Sequence, residues 1–352
     1  MRVLGIESSC DETAAAVVED GEQLLSNVVA SSADLHVQYG GVVPEIAARS
    51  HIEVILPVIQ QALDDADCSW DDIDAIAVTY GAGLGGSLLI GVLTARTLAI
   101  AHNKPLYAVN HVLGHVYANF LTSTSLPGLA MRHAQPSFPM LAIIVSGGHS
   151  QLALFENHFN YRLLGQTQDD AIGEAFDKVA KILGLPYPGG PSVAKAAETG
   201  NAMAYQLPKA KVGRYDFSFS GLKTAVLRLA QAEIGESYDF PSTELSQRLS
   251  EAQKHDIAAS FQRIAIETIV DKTRLAYDEF APTSVVIAGG VAASAELRRQ
   301  LTEALPLYIE YPDFKLCTDN GAMIATLGCF HAKTGQPTAD PYTLDINPNL
   351  SM

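Results

Sequence analysis

His111-Val112-Leu113-Gly114-His115 sets two imidazoles four residues apart. On a helix that spacing points both rings the same way, so they can share one metal. The obvious comparison is the H-E-x-x-H pattern of zinc peptidases, whose Glu is the general base; here that position is Val112. As a lone pair, such histidines are more often structural than metal-binding. Asp319, in Cys317-Thr318-Asp319-Asn320-Gly321, can complete a 2-His-1-carboxylate set, which suits Fe(II) among other metals. The same aspartate can instead be the N-cap of the small-residue helix at 322–327.

A second group of residues could hold an anion. Ser146-Gly147-Gly148-His149-Ser150 and Glu7-Ser8-Ser9-Cys10-Asp11-Glu12-Thr13 are small polar loops that offer backbone N–H groups. Gly147 and Gly148 would let the backbone approach a phosphate or carboxylate closely, although a simple turn needs the same residues. Gly81-Ala82-Gly83-Leu84-Gly85-Gly86 is glycine-dense, but no Lys-Ser/Thr follows and the spacing is not G-x-G-x-x-G. Asp177, in the helical segment 173–183, can accept from ribose hydroxyls or lie on a solvated face. Lys209, Lys211, Arg214, Lys223 and Arg228 cluster around Tyr215-Asp216-Phe217-Ser218-Phe219-Ser220, which reads as an RNA-facing surface or as a solvated face.

The elements that must position these residues show a repeat. Residues 2–6 are an apolar strand, followed by the first polar loop, a strand at 14–18, a turn at 19–21 and a strand at 24–29. Residues 141–145 begin the same order: strand, loop 146–150, strand 151–155, turn 156–158, strand 161–164. A β-rich run at 75–79 leading into Gly81–Gly86 and a helix to 100 is echoed by 284–288, Gly289-Gly290-Val291 and a helix to 301. Such duplication outranks local propensity and predicts two α/β lobes of common design with a cleft between them. Helical spacing also marks 43–63, 192–198 and 245–280. The Pro/Gly-rich stretch 185–191 reads as a shaped loop, and the residues after 335 as a tail laid over the surface.

The chain has 352 residues, enough for two cores. With 39 Asp plus Glu against 23 Lys plus Arg, its formal charge is −16. That field repels nucleic acid and anionic membrane, so a nucleic-acid substrate requires a local basic strip or basic partner subunits. A hydrophobic fraction of 48% excludes extensive disorder. Cys10, Cys68, Cys317 and Cys329 form no C-x-x-C, which argues against a disulfide scaffold or zinc knuckle. Glu7, Asp11 and Glu12 interrupt any apolar leader, and Arg96 breaks the longest apolar run, so the expectation is a soluble cytoplasmic protein without membrane partners.

Taken together, residues 5–13, Gly40-Gly41-Val42-Val43-Pro44-Glu45, 111–115, 145–149, 173–178, 217–223 and 317–322 resemble the tRNA N6-adenosine threonylcarbamoyltransferase family of the bacterial TsaD type, formerly labelled glycoprotein endopeptidases. The resemblance runs from residue 1 to about residue 335. It implies two duplicated RNase H-like lobes of the actin/Hsp70/sugar-kinase (ASKHA) superfold. The first would span 1–133, completed by a helix around 322–335; the second would span 134–321, and 336–352 would be the tail. It implies transfer of a threonylcarbamoyl group from threonylcarbamoyl-AMP to N6 of adenosine 37 in tRNAs reading ANN codons, with release of AMP. His111, His115 and Asp319 become ligands of one divalent metal, iron(II) by the usual assignment, with zinc the alternative. Ile144, Val145, Ser146, Gly147, Gly148, Asp177 and Gly190 become contacts to the adenylate. An inactive paralogous subunit and a P-loop ATPase are the implied partners. The chain departs from the family at Ser294, where Asn is common, and at Ala194, where Asp is frequent. Ser294 keeps one hydrogen bond to a nucleotide but not the two-sided amide pairing. On chemical grounds Glu12, in the first loop, is the candidate proton acceptor, with loop ordering its other role. Two further classes stand beside this reading: a metallopeptidase, and a nucleotide-binding assembly protein without chemistry of its own.

Overall fold

The computed structural model describes residues 1–352. In chain order the strands and helices begin with β1 (Arg2–Glu7), β2 (Glu12–Glu19), β3 (Gln23–Ser31), α1 (Ala33–His36), α2 (Pro44–Asp65), β4 (Ala75–Gly81) and α3 (Gly85–His102). Then come β5 (Leu106–Asn110), α4 (His111–Tyr117), β6 (Ser123–Thr124), β7 (Met140–Val145), β8 (Ser150–Asn157) and β9 (Asn160–Gln166). The chain continues through α5 (Ile172–Leu183), α6 (Gly189–Ala197), α7 (Ser220–Glu233), α8 (Ser242–Arg248) and α9 (Glu251–Phe280). It finishes with β10 (Ser284–Ala288), α10 (Ala295–Ala304) and α11 (Gly321–Lys333). Two compact units result: Met1–Ser137 with Glu310–Met352, and Phe138–Ile309.

The sheet of the first unit has the order β5-β4-β1-β2-β3-β6, and that of the second β10-β7-β8-β9. In the first, β1, β2 and β3 form an antiparallel meander and β4 lies parallel to β1. In the second, β7, β8 and β9 form the meander and β10 lies parallel to β7. This repeated layout matches the duplicated strand-loop-strand order expected for two α/β lobes of common design. Register puts the two polar loops at equivalent points, since Glu7 pairs with Ala14 and Val145 with Ser150 across the first hairpin of each sheet.

In the first unit, α2 packs Ile55, Val58, Ile59, Ala62 and Leu63 against Leu4, Ile6, Val17 and Val78 of the sheet. Burying each larger side chain of this set contributes about 1.5–3 kcal/mol. The sheet's other face receives α11 at backbone distance. A side chain on Gly5 would collide with the backbone of Gly321 and Ala325, and one on Gly321 with Ala15 and Ala16. Glycine at these places lets the start of α11 lie directly on β1 and β2. α3 is long and apolar enough to cross a membrane by composition. Its face of Leu88, Gly91, Val92, Ala95 and Ala99 is buried in this unit.

Several boundaries differ from the sequence reading. Gly189, Gly190 and Pro191 form the first turn of α6 instead of ending a loop, because the first turn of a helix needs no N–H from proline. The helical stretch expected at 245–280 breaks at Leu249–Ser250, where Ser250 and Gln253 form a capping box that starts α9. Residues 134–137 and 310–321, expected in the second lobe, belong to the first unit. Arg132 donates to the Glu310 carbonyl at 2.9 Å, and Asp313 accepts from the Ala130 N–H at 3.0 Å, which tie the later segment there. The N-cap of α11 is Asn320, whose Oδ1 accepts from the Met323 N–H at 3.0 Å. Asp319 is therefore not needed as a cap.

Candidate functional site

The site in the first unit assembles from three elements. Asn110 ends β5 and caps α4: its Oδ1 accepts from the N–H groups of Val112 and Leu113 at 2.8 and 3.1 Å. That fixes the first turn of α4, which carries His111 and His115 with ring centroids 4.8 Å apart. α11 rests on α4 through Gly114, where a Cβ would stand 3.0 Å from Ile324 Cδ1. This contact and the close seat of α11 on β1 deliver Asp319. Its Oδ1 lies 3.1 Å from His115 Nε2 and 3.5 Å from His111 Nε2. Ligand atoms of the three residues all lie within 4.8 Å of one another.

Behind them lies Glu7, the fully buried last residue of β1. Its Oε1 accepts from the Ser9 N–H and its Oε2 from the Thr79 hydroxyl, each at 2.5 Å. The same Oε2 lies 3.2 Å from His111 Nδ1, and the Ser9 hydroxyl lies 3.0 Å from that nitrogen. A carboxylate on Nδ1 holds one ring proton there, so loss of the second proton leaves the Nε2 lone pair facing His115 and Asp319. Glu7, Ser9 and Asn110 were missed as site residues. A charged residue closing an apolar strand and an Asn directly before His111 were the available signals.

Electrostatics make this pocket a cation trap. Burial works against a charged His111, but Asp319 and then Glu7 outweigh it and push its pKa up to about 9. Burial likewise opposes the Glu7 charge, and His111 beside it holds the carboxyl below its ordinary value. Burial, then the charges of Asp319 and Asp11, push Glu12 up to about 9. His115 Nδ1 is buried without a hydrogen-bond partner. Two imidazoles, a carboxylate and a carboxylate behind one imidazole match the donor chemistry of a divalent metal. Peptidase chemistry finds no base on α4, where Val112 is buried in the core.

The predicted adenylate residues lie in the second unit, and the fold gathers most of them. Ile144 and Val145 are buried in β7, so only their backbone can face a ligand. Ser146 accepts from the His149 N–H at 3.1 Å and closes the loop. Added Cβ atoms on Gly147 and Gly148 would meet open space, and neither glycine has positive φ, so the loop does not need glycine for its own geometry. The Gly173 N–H donates to the Ser146 carbonyl at 3.2 Å, bringing the start of α5 to this loop. Gly289, at φ +89°, presses on Val145 at the end of β10. Asp177 Oδ1 accepts from the Gly189 N–H at 2.6 Å and so holds the first turn of α6, which includes Gly190. Burial raises the Asp177 carboxyl above its ordinary value, against the opposing pull of that N–H. Ser294 caps α10, its Oγ accepting from the Leu297 N–H at 3.3 Å.

Two further segments acquire partners in the structure. In the glycine-dense run at 81–86, Gly83 packs against the Ser9 backbone and Gly81 against the Asn347 backbone, while Gly85 lies beside the Pro348 side chain. Three cations of the basic cluster, Lys209, Arg214 and Lys223, are paired with acids. Lys209 Nζ lies 2.6 Å from Asp271 and 3.1 Å from Glu267, Arg214 pairs with Glu279, Lys223 lies 3.8 Å from Asp170, and Arg228 stacks on Tyr238. Recruiting these cations to phosphates would exchange one surface ion pair for another, so an RNA-facing surface and a solvated face are both compatible with the pairing.

Known proteins resemble this chain over nearly its whole length. The family model described as "TsaD: tRNA N6-adenosine threonylcarbamoyltransferase" matches residues 23–326. A Thermomicrobium roseum protein of that name is 50% identical over 360 residues, covering 100% of this chain and 97% of its own. Proteins of the same name from Dehalococcoides mccartyi and Symbiobacterium thermophilum are 47% and 49% identical, covering 100% and 99% of this chain and 99% and 96% of their own. Component A of (R)-2-hydroxyglutaryl-CoA dehydratase from Acidaminococcus fermentans aligns at a TM-score of 0.49 and 16% identity over 95% of this chain and 99% of that one, too weakly to carry an argument. With a whole-length match at half identity and the two histidines and aspartate converging in one partly buried cluster, the chain belongs to the tRNA N6-adenosine threonylcarbamoyltransferase family.

Proposed function

We propose that this chain transfers a threonylcarbamoyl group from threonylcarbamoyl-AMP to N6 of adenosine 37 in tRNAs reading ANN codons. The donor is a mixed anhydride and therefore already activated. The adenine amine is a poor nucleophile because its lone pair is delocalised into the ring. N6 attacks the carbamoyl carbon, the new C–N bond forms, the bond to the phosphate oxygen breaks, AMP leaves, and one N6 proton must be removed. Catalysis then depends on alignment and on stabilising the negative charge that develops on the attacked oxygen.

His111, His115 and Asp319 are the proposed ligands of one divalent metal, iron(II) first and zinc second, with Glu7 fixing the His111 ring. When bound, such an ion supplies Lewis-acid polarisation of the donor carbonyl and a template for orienting it. Glu12 is the proposed proton acceptor; it fills that role once positive charge offsets the burial and the Asp319 and Asp11 charges that otherwise keep it protonated. The backbone of Ser146, Gly147 and Gly148 approaches the adenylate phosphate through the open space beside the glycines. The second oxygen of Asp177 and the Ser294 hydroxyl proton remain for nucleotide hydroxyl and base atoms, next to Gly190 at the start of α6. A paralogous subunit and a P-loop ATPase are the proposed partners. The net charge of −16 favours shared tRNA binding, and the setting is the cytoplasm without membrane contact.

The observation that carries this reading is the convergence of His111, His115 and Asp319 within one family-matched chain. Purified protein is incubated with an ANN-decoding tRNA transcript, threonylcarbamoyl-AMP and iron(II), with and without the two partners, and nucleosides are analysed by mass spectrometry. Threonylcarbamoyladenosine is expected on the transcript and not on one carrying guanosine at position 37. No modified nucleoside in the complete mixture would refute the assignment.

A further inference from the structure

The segment after α11 is laid along the site's own supports. The Ala339 N–H donates to the Leu106 carbonyl at 2.8 Å and forms an antiparallel bridge to β5. Arg96 of α3 then spends its guanidinium on three carbonyls of this segment: Pro341 at 2.6 Å, Tyr342 at 2.7 Å and Leu344 at 3.0 Å. Leu344 and Ile346 pack against the apolar core of the unit. Further on, the Asn347 N–H donates to the Tyr80 carbonyl at 2.7 Å, and the Gly83 N–H donates to the Pro348 carbonyl at 3.1 Å. The path ends with Asn110 Nδ2 donating to the Ser351 carbonyl at 3.2 Å.

Two routes lead from this strap to His111. In the first, the Ser351 carbonyl takes the amide end of Asn110, which turns Oδ1 toward the Val112 and Leu113 N–H groups and fixes the helix start that bears both histidines. In the second, Pro348 holds Gly83, the next residue's N–H (Leu84) donates to the Ser9 carbonyl at 2.8 Å, and the Ser9 hydroxyl lies 3.0 Å from His111 Nδ1. A side chain on Gly83 would strike Ser9, and one on Gly81 would strike the Asn347 backbone, so the glycine-dense run is a thin spacer between strap and site loop.

We propose that residues 339–351 are a positioning strap for the metal centre: Asn110 and the Gly81–Gly83 turn transmit its hold to His111. The inference rests on the metal reading above. Its test uses the full chain, stripped of metal, and a second form lacking residues 346–352, which keeps the anchors at Ala339 and Arg96. Cobalt(II) affinity is read by titration, and amide hydrogen exchange is read at Val112 and Leu113. The truncated form is expected to bind cobalt(II) about tenfold more weakly, as loss of an outer-shell support does, with both amides exchanging about tenfold faster. Arg96→Gln, remote from the ligands, loosens the strap from the other end and should shift both readouts in the same direction. It also decides the matter should the shortened chain fail to fold. Truncation added to Asn110→Ala should have little further effect at these amides, because the two act in series. Affinity and exchange within about twofold of the parent in both strap variants would overturn the inference, as would full additivity with Asn110→Ala. His111→Ala separates the two readings: unchanged cobalt(II) binding there condemns the metal assignment, while exchange at Val112 and Leu113 still judges the strap.

Discussion

Glu7 decides how His111 behaves. It is a fully buried carboxylate with one oxygen on the Ser9 N–H and the other shared by the Thr79 hydroxyl and the His111 ring. Its charge is affordable there only because these donors satisfy it. Replacing His111 or His115 by Ala leaves two protein ligands, so elemental analysis should find most of the metal gone from either variant. Full occupancy in both would exclude the assignment. Glu7→Gln keeps the size and one acceptor but removes the charge behind Nδ1, and should weaken cobalt(II) binding by about 10–100-fold while the fold survives. Parent-like affinity in that variant would mean that the ring is held by Ser9 alone.

At the scale of elements, the loop between β7 and β8 offers a clean test of adenylate binding. Gly147 sits at ordinary φ, and a Cβ there meets open space. Gly147→Val therefore strains neither backbone nor packing, and should leave melting temperature and metal content as they are. If the loop backbone approaches the adenylate, the branched side chain occupies the ligand's place, and titration calorimetry should show affinity falling at least about a hundredfold, equivalent to about 2.7 kcal/mol. Normal affinity would reduce the loop to a turn. α6 shows the converse: Asp177 already serves the Gly189 N–H, so its loss would disturb the helix start as well as any nucleotide contact.

For the whole molecule, the acid limb of stability carries a readable signature. Burial drives His331, on α11, down to about 4 from an ordinary 6.5. Its folded form stays neutral where the unfolded chain already binds a proton. Both states are neutral above pH 6.5, so the group has no effect there. As pH falls from 6.5 toward 4 the unfolded state gains the proton first, and folding stability is lost by up to about 1.4 kcal/mol per pH unit. Below about 4 the loss is complete. His331→Gln should flatten this limb relative to the parent in urea melts at pH 6.5, 5.5 and 4.5. Parallel curves for the two proteins would show that His331 titrates normally.

The duplicated strand-loop-strand layout, the polar loops at 7–13 and 146–150, and the helix bearing two like-facing histidines were legible from residue order alone. Each depends on neighbours along the chain, where a period of two, a period of 3.6 or a glycine speaks for itself. The split of residues 245–280 into two helices was also local, but Ser250 and Gln253 had to be recognised as a box within an otherwise continuous pattern. What the chain order could not decide was which distant groups meet. Asp319 could be cap or ligand until Asn320 took the cap and the bare glycines at 5 and 321 let α11 sit on β1. Glu7 looked like a loop acid until burial turned it toward His111. The basic cluster looked free until α9 supplied Glu267, Asp271 and Glu279 to Lys209 and Arg214. Charge pairing and burial are set by surfaces that come together only in the folded chain, so composition can count such groups but cannot assign their partners.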